Sequence, residues 1–118
     1  MKRKYNVLIV DDEFLARKLL TEYVSKMDFL NLVTTCADAT QAMEVLNKEQ
    51  VDILLLDIQM PDISGMEMIK LLNNNRVAVV LTTAYSEYAV DAFSLGVIDY
   101  LLKPFDYARF VQAINKAI

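Results

Sequence analysis

Five apolar segments, each of the length of a β-strand, alternate with segments of helical periodicity along the whole chain. They lie at 5–10, 31–36, 51–56, 77–82 and 97–102. The first, third and fourth are nearly continuous runs rich in Val, Ile and Leu, which is typical of strands covered on both faces of a parallel sheet. The second is more polar and alternating, which favours an edge. Because helical crossovers between parallel strands are right-handed, the pattern predicts a doubly wound α/β fold, a three-layer (βα)5 sandwich with strand order 2-1-3-4-5.

The composition is that of one compact globular domain, and we treat residues 1–118 as a single unit. Hydrophobic residues make up 55% of the chain and charged residues 24%, with only two glycines and two prolines, which argues against a disordered or linker segment. The single cysteine, Cys36, excludes an intramolecular disulfide, and we expect it to be a small buried apolar residue. The final residue, Ile118, is apolar and follows a helical segment without a cap, so we expect the natural protein to continue.

Charge and residue usage exclude several functions. A net charge of -4 argues against direct nucleic-acid binding by this domain, and the only basic cluster, Lys2, Arg3 and Lys4, is typical of a soluble terminus. The chain contains no histidine, which removes Ser-His and Cys-His catalytic pairs and the commonest metal ligand. No apolar run approaches the ~18 residues of a membrane span. We therefore expect a cytoplasmic protein without a membrane partner.

Local motifs in the sequence predict where two helices begin and where one helix ends. Ser64 with Glu67, and Asp38 with Gln41, have the spacing of capping boxes. Gly96 follows the fourth helical segment, where a left-handed residue is needed to end a helix.

Polar residues collect at the carboxyl ends of the predicted strands. They are Asp11 and Asp12 after the first strand, Asp57 after the third, Thr82 and Thr83 at the fourth, and Lys103 after the fifth. In a doubly wound sheet these ends meet in one crevice. Taken singly, each residue has an ordinary structural explanation, such as an N-cap or a turn.

Together the three carboxylates predict a bound cation. Like charges in one crevice repel one another unless a cation lies between them, and a single lysine offsets only part of their charge. Oxygen donors without His or Cys favour Mg²⁺, or Mn²⁺, over Zn²⁺. Because Mg²⁺ also binds phosphate oxygens, the arrangement points to phosphoryl chemistry.

Four motifs resemble the receiver domain of two-component response regulators, and the likeness covers essentially the whole chain. They are VDDE (10–13), LLLDIQMPDISG (54–65), TTAY (82–85) and DYLLKPF (99–105). The stretch 82–105 further resembles the branch whose receivers precede a LytTR-type DNA-binding domain. The resemblance implies a flavodoxin-like fold.

The resemblance also implies the roles of the acidic residues. Asp57 would be the phosphoacceptor, which receives a phosphoryl group from a phosphohistidine of a sensor histidine kinase. Asp12 would bind Mg²⁺ directly and Asp11 directly or through water, with Asp57 and the backbone carbonyl of Gln59 completing the protein ligands. The domain would not be an enzyme in the ordinary sense, although it would assist its own phosphorylation and dephosphorylation.

Three further residues receive roles from the same resemblance. Lys103 would pair with the phosphoryl oxygens, and Thr83 would hydrogen-bond the attached phosphoryl group. Tyr100 would then swing inward as part of the switch. The Lys103-Pro104 peptide bond is expected to be cis.

The implied partners are a kinase and an effector. The effector would be a LytTR-type DNA-binding domain that regulates transcription. The face of the fourth helix, fifth strand and fifth helix would switch to control it, and this face is expected to be a homodimer or effector surface. The alternative is a receiver-like interaction module that signals by protein contact without phosphorylation. The presence of the acid pair, Asp57, Thr83 and Lys103 favours the phosphorylated receiver.

Overall fold

The computed structural model describes residues 4–72 and 77–118. Its elements, in chain order, are β1 (Tyr5–Val10), α1 (Phe14–Ser25), β2 (Leu30–Cys36), α2 (Ala39–Lys48), β3 (Ile53–Asp57), α3 (Gly65–Leu71), β4 (Ala78–Thr83), α4 (Ala89–Ser94), β5 (Asp99–Leu102) and α5 (Tyr107–Ala117). The five strands form one parallel sheet of order β2-β1-β3-β4-β5. The predicted fold and strand order are confirmed. Lys2 and Arg3 of the basic cluster lie outside the described residues.

Strand boundaries differ from the predicted ones by one or two residues at several ends. β3 and β5 each begin two residues later than predicted, although Val51 and Val97, which precede them, are buried. The residues just before these strands are therefore as buried as the strand residues, so an apolar run alone does not mark where a strand begins. At the other end, β3 includes Asp57 and β4 includes Thr83, because ladder hydrogen bonding continues past the last apolar side chain.

Helices cover both faces of the sheet. On one face α1 and α5 contribute Leu20, Val24, Phe110, Ala113 and Ile114 to the core. On the other face α2, α3 and α4 contribute Ala39, Ala42, Met68, Ile69 and Ala92. Side chains of β3 alternate between the two clusters, and all its residues are buried. This burial on both sides explains the continuous apolar run before Asp57.

Side-chain caps start the helices where the sequence predicts them. Ser64 and Glu67 form a reciprocal capping box at α3. At α2 the Asp38 carboxylate accepts the N–H of Gln41 at 2.9 Å, but the Gln41 side chain accepts from the N–H of Ala37 instead of Asp38. In the second capping box, the return hydrogen bond to the glutamine side chain therefore comes from the N–H of Ala37, one residue before the N-cap.

Backbone conformation agrees with the turn predictions. Gly96 has φ +88° after α4, and the Lys103-Pro104 bond is cis. Asp62, in the loop between β3 and α3, has φ +65°. Cys36 is buried, as expected. Within 4–72 and 77–118, no helix combines the length and apolar character that crossing a bilayer requires.

Candidate functional site

A crevice of about 300 Å³ lies at the carboxyl end of the sheet. It is lined by Asp12, Glu13, Asp57, Gln59, Ala84, Tyr85 and Lys103. A larger cavity of about 810 Å³ lies elsewhere, but its lining is mostly apolar and includes one carboxylate, Glu49. The charged groups that the sequence singles out therefore meet in the smaller space.

Three carboxylates converge at this crevice, and two of them, Asp12 and Asp57, line it. Asp11, Asp12 and Asp57 each have one carboxylate oxygen within 4.8 Å of the others. Asp11 and Asp57 are buried because they directly follow paired residues of the neighbouring strands β1 and β3, whereas Asp12 is exposed. Bonds of about 2.1 Å from one Mg²⁺ place its ligand oxygens up to about 4.2 Å apart, so small side-chain rotations bring this set into range. The residues fit a hard divalent cation.

Lys103 directly follows the edge strand β5, and its side chain extends to this cluster. Its Nζ donates a hydrogen bond to Asp11 Oδ2 at 2.8 Å and lies 3.7 Å from Asp57 Oδ1 and 3.4 Å from Glu13 Oε1. Burial alone would lower the pKa of Lys103, but the hydrogen bond that it donates to Asp11 and the charges of Asp57 and Asp11 raise this pKa above its ordinary value. The side chain is therefore a fixed positive charge beside Asp57.

The surroundings of Asp57 disfavour its ionised form. Burial, and secondly the negative charge of Asp11, raise the pKa of Asp57 to about 7. Lys103 and the backbone N–H of Gln59, which lies 3.3 Å from Asp57 Oδ1, act in the opposite direction. Without a cation, Asp57 is thus not fully stabilised as an anion.

Gly65 fixes the backbone that carries Asp57. A Cβ atom at this position would lie 2.4 Å from the carbonyl oxygen of Asp57 and 2.9 Å from the Cα of Ile58. The Gly65 N–H donates to the Ile58 carbonyl at 2.9 Å. Sequence reasoning gave Gly65 no role. The available signal was a glycine in the first turn of a helix, where it is a poor helix former.

Arg17 is a second contact that sequence reasoning missed. Its Nη1 donates to the backbone carbonyl of Asp11 at 2.7 Å. A cation near the start of a helix is disfavoured by the helix dipole, so its place in the first turns of α1 was the signal. The guanidinium holds the end of β1 against α1.

The side chains of Thr83 and Tyr100 both form hydrogen bonds with the backbone of Tyr85. Thr83 is fully buried, and its Oγ1 accepts the N–H of Tyr85 at 3.1 Å. The Tyr100 hydroxyl donates to the Tyr85 carbonyl, and its ring packs near Phe93. The two predicted switch residues are therefore joined through the backbone of Tyr85.

Comparison with known proteins identifies the family. The family model for the response regulator receiver domain matches residues 7–115. The chain belongs to the response regulator receiver domain family. The predicted family is confirmed.

Curated relatives of this receiver domain are regulatory proteins. It is 43% identical over 111 residues to the transcriptional regulatory protein BtsR of Escherichia coli, covering 93% of this chain and 46% of that protein. It is 40% identical over 112 residues to the sensory transduction protein LytT of Bacillus anthracis, covering 93% of this chain and 46% of that protein. The match to LytT is consistent with the predicted branch. The receiver domain spans about half the length of these relatives.

Solved structures share the fold. The response regulatory domain of mrkE from Klebsiella pneumoniae superposes with a TM-score of 0.88 at 31% identity, covering 95% of this chain and 93% of that chain. The response regulator TrrA from Thermotoga maritima, solved in complex with Mg²⁺-BeF, has a TM-score of 0.85 at 28% identity, covering 97% of this chain and 99% of that chain.

Proposed function

We propose that this receiver domain accepts a phosphoryl group on Asp57 from a sensor histidine kinase, with Mg²⁺ as cofactor. The observation that carries the proposal is the convergence of Asp11, Asp12 and Asp57 with the ammonium of Lys103. The Mg²⁺-BeF complex of TrrA supports the same chemistry. Asp12, Asp11, Asp57 and the backbone carbonyl of Gln59 would hold the metal, which would offset the charge of the phosphoryl oxygens.

The chain's own residues supply the rest of the transfer. A carboxylate oxygen of Asp57 attacks the phosphorus of a phosphohistidine, so that an O–P bond forms while the P–N bond breaks and the kinase imidazole leaves. Burial of β3 and the close approach of Gly65 hold the Asp57 backbone still during the attack. Lys103, already 3.7 Å from Asp57, pairs with the negative charge spread over the transferred group.

The signal then passes through Thr83. Its hydroxyl accepts from Tyr85 but retains its own proton, which can be donated to a phosphoryl oxygen. A movement of Thr83 toward the phosphoryl group pulls on the backbone of Tyr85, whose carbonyl accepts from Tyr100. This hydrogen bond couples Thr83 to Tyr100, the second switch residue, so that the charge added at Asp57 alters the conformation around α4 and β5.

The responding surface comprises α4, β5 and α5. It exposes Val90, Phe93 and Leu102, whose side chains are 82%, 50% and 46% accessible. Such apolar exposure favours contact with a second copy or with an effector. We further propose that residues 1–118 form the N-terminal part of a longer cytoplasmic regulator with a LytTR-type DNA-binding effector. The transcriptional and sensory roles in the relatives' names support this.

Phosphorylation by a small donor tests the proposal. The protein is incubated with Mg²⁺ and acetyl phosphate, and the intact mass is measured. We expect one added phosphoryl group in the natural protein and in Asp28→Ala, an exposed carboxylate outside the crevice. Asp57→Ala should gain none. If the natural protein gains no phosphoryl group from acetyl phosphate in the presence of Mg²⁺, the alternative of a contact-only module replaces the phosphorylated receiver.

A further inference from the structure

A buried hydroxyl without a partner lies at the end of β4. Thr82 is 1% exposed, and its Oγ1 is the one buried side-chain N or O atom in the described part of the chain without a hydrogen-bond partner. Burying such a group without a partner destabilises the fold, and a valine of the same shape would avoid this cost. β4 already uses valine at positions 79 and 80. The hydroxyl therefore calls for an explanation.

The strand register places Thr82 beside Asp57. The two residues pair directly in the sheet. Val80 and Leu55, which precede Thr82 and Asp57 by two residues, both belong to the core cluster on the face of α1 and α5. Because side chains alternate along a strand, Thr82 and Asp57 point to that same face.

The Lys103 side chain crosses this position. Lys103 follows β5, whereas its ammonium contacts Asp57 at the end of β3 and Asp11 beyond β1. β4 lies between β3 and β5 in the sheet, so the side chain extends across the end of β4. An ammonium has three N–H donors, and here it donates to Asp11 at 2.8 Å and to Glu13 at 3.4 Å, which leaves a third N–H. Lys103 thus has an N–H to spare at the same end of the sheet where Thr82 Oγ1 lacks a partner.

We propose that Thr82 is a positioning residue whose hydroxyl accepts a hydrogen bond from Lys103 when Asp11 binds a divalent cation. This inference rests on the proposed Mg²⁺ site. A cation among the three aspartates competes for the Asp11 oxygens and repels the ammonium. The ammonium then withdraws from β1 toward β4, where Thr82 Oγ1 receives one N–H. Lys103 stays beside Asp57, where a phosphoryl group arrives.

Two substitutions at Thr82 separate the hydroxyl from the shape of the side chain. Thr82→Val removes the hydroxyl and keeps the shape, whereas Thr82→Ser keeps the hydroxyl. Mg²⁺ affinity is measured by isothermal titration calorimetry, and the stability of the metal-free protein by urea denaturation. We expect Thr82→Val to bind Mg²⁺ about three- to tenfold more weakly, and Thr82→Ser to remain within about twofold of the natural protein. Metal-free Thr82→Val should be at least as stable as the natural protein.

A double-mutant cycle tests whether the hydroxyl acts through the lysine. In a Lys103→Met background, Thr82→Val should not weaken Mg²⁺ binding any further. A further loss there would overturn the inference, as would equal Mg²⁺ affinity of Thr82→Val and the natural protein. Destabilisation of metal-free Thr82→Val would assign it a structural role instead. A natural protein that binds no Mg²⁺ would overturn the proposed function as well, so the two failures are distinguishable.

Discussion

Gly65 lies so close to Asp57 that the first atom of any side chain would be 2.4 Å from the Asp57 carbonyl oxygen. The N-terminus of α3 and the end of β3 thus share a space with no room for a methyl group. The glycine is required by a neighbour and not by its own conformation, since only Gly96 among the glycines has positive φ.

Substitution of Gly65 should therefore damage the site as well as the fold. We expect Gly65→Ala to lower the free energy of unfolding by about 1–3 kcal/mol, the range for overpacking, and to slow phosphorylation of Asp57 because its backbone must shift. Urea denaturation and the rate of reaction with acetyl phosphate measure the two effects.

Gly96→Ala is the matched control for this change. A Cβ there meets nothing within 4 Å, so the loss of about 1–2 kcal/mol comes from the positive φ alone. Asp57 should keep its reactivity in Gly96→Ala. Equal slowing in the two alanine variants would contradict the role given to Gly65.

The raised pKa of Asp57 makes the metal-free protein less stable as pH rises. With a pKa of about 7, against 3.8 ordinarily, folded Asp57 retains a proton that the unfolded chain has released. Folding stability therefore falls between about pH 4 and about pH 7 from this group. The whole shift corresponds to about 4 kcal/mol, which solvent at the open crevice reduces to about 1–3 kcal/mol.

Asp57→Asn isolates this effect. In the presence of a chelator, the variant should gain stability relative to the natural protein by about 1–3 kcal/mol as pH rises from about 4 to about 8. Saturating Mg²⁺ should shrink the difference, because the cation stabilises the natural carboxylate. Urea titrations across this pH range check both points. A difference that does not change with pH would show that Asp57 titrates normally.

Arg17 should contribute to stability through its bond to the Asp11 carbonyl. Arg17→Met leaves that carbonyl without its 2.7 Å partner and is expected to lower the free energy of unfolding by about 1–2 kcal/mol. Lys18→Met, on an exposed neighbouring position of α1, should cost less than about 0.5 kcal/mol. Thermal or urea unfolding of both variants decides, and equal losses would refute a specific role for Arg17.

The contribution of Asp99 to folding stability should rise with pH, whereas that of Asp57 falls. Its buried carboxylate pairs with Arg109 at 2.7 and 2.8 Å and with Lys116 at 3.3 Å. Burial would raise the pKa of Asp99, but the hydrogen bonds and charge of Arg109 and the Tyr100 N–H hold it below its ordinary value. A depressed pKa adds stability above about pH 4, which is lost as pH falls through the folded-state value.

Asp99→Asn should thus cost about 2–4 kcal/mol at neutral pH and less near pH 3. The loss follows from leaving Arg109 and Lys116 without their buried counter-charge, while the natural carboxylate itself becomes protonated in acid. Urea denaturation at the two pH values measures the difference. A deficit that grows in acid would contradict the assigned ion pair.

Much of the architecture follows from local patterns in the sequence. Continuous apolar runs predict buried parallel strands because strands covered on both faces need apolar residues at every position. Asp11, Asp57 and Lys103 could be assigned to one crevice because the carboxyl ends of parallel strands meet at one edge. Helix caps are equally readable, since a cap is a bond between residues three apart in sequence. The proposed roles of these residues came from the family resemblance.

Contacts between distant segments required the tertiary structure. The approach of Gly65 to Asp57, the bond from Arg17 to Asp11 and the unpartnered hydroxyl of Thr82 depend on how α1, α3 and β4 pack against the crevice. The raised pKa of Asp57 likewise depends on its burial beside Asp11. Periodicity records which face of an element is apolar, whereas these distances are set by the packing of whole elements against one another. The sequence by itself determined which residues gather at the end of the sheet, and only the folded chain decided which of them touch.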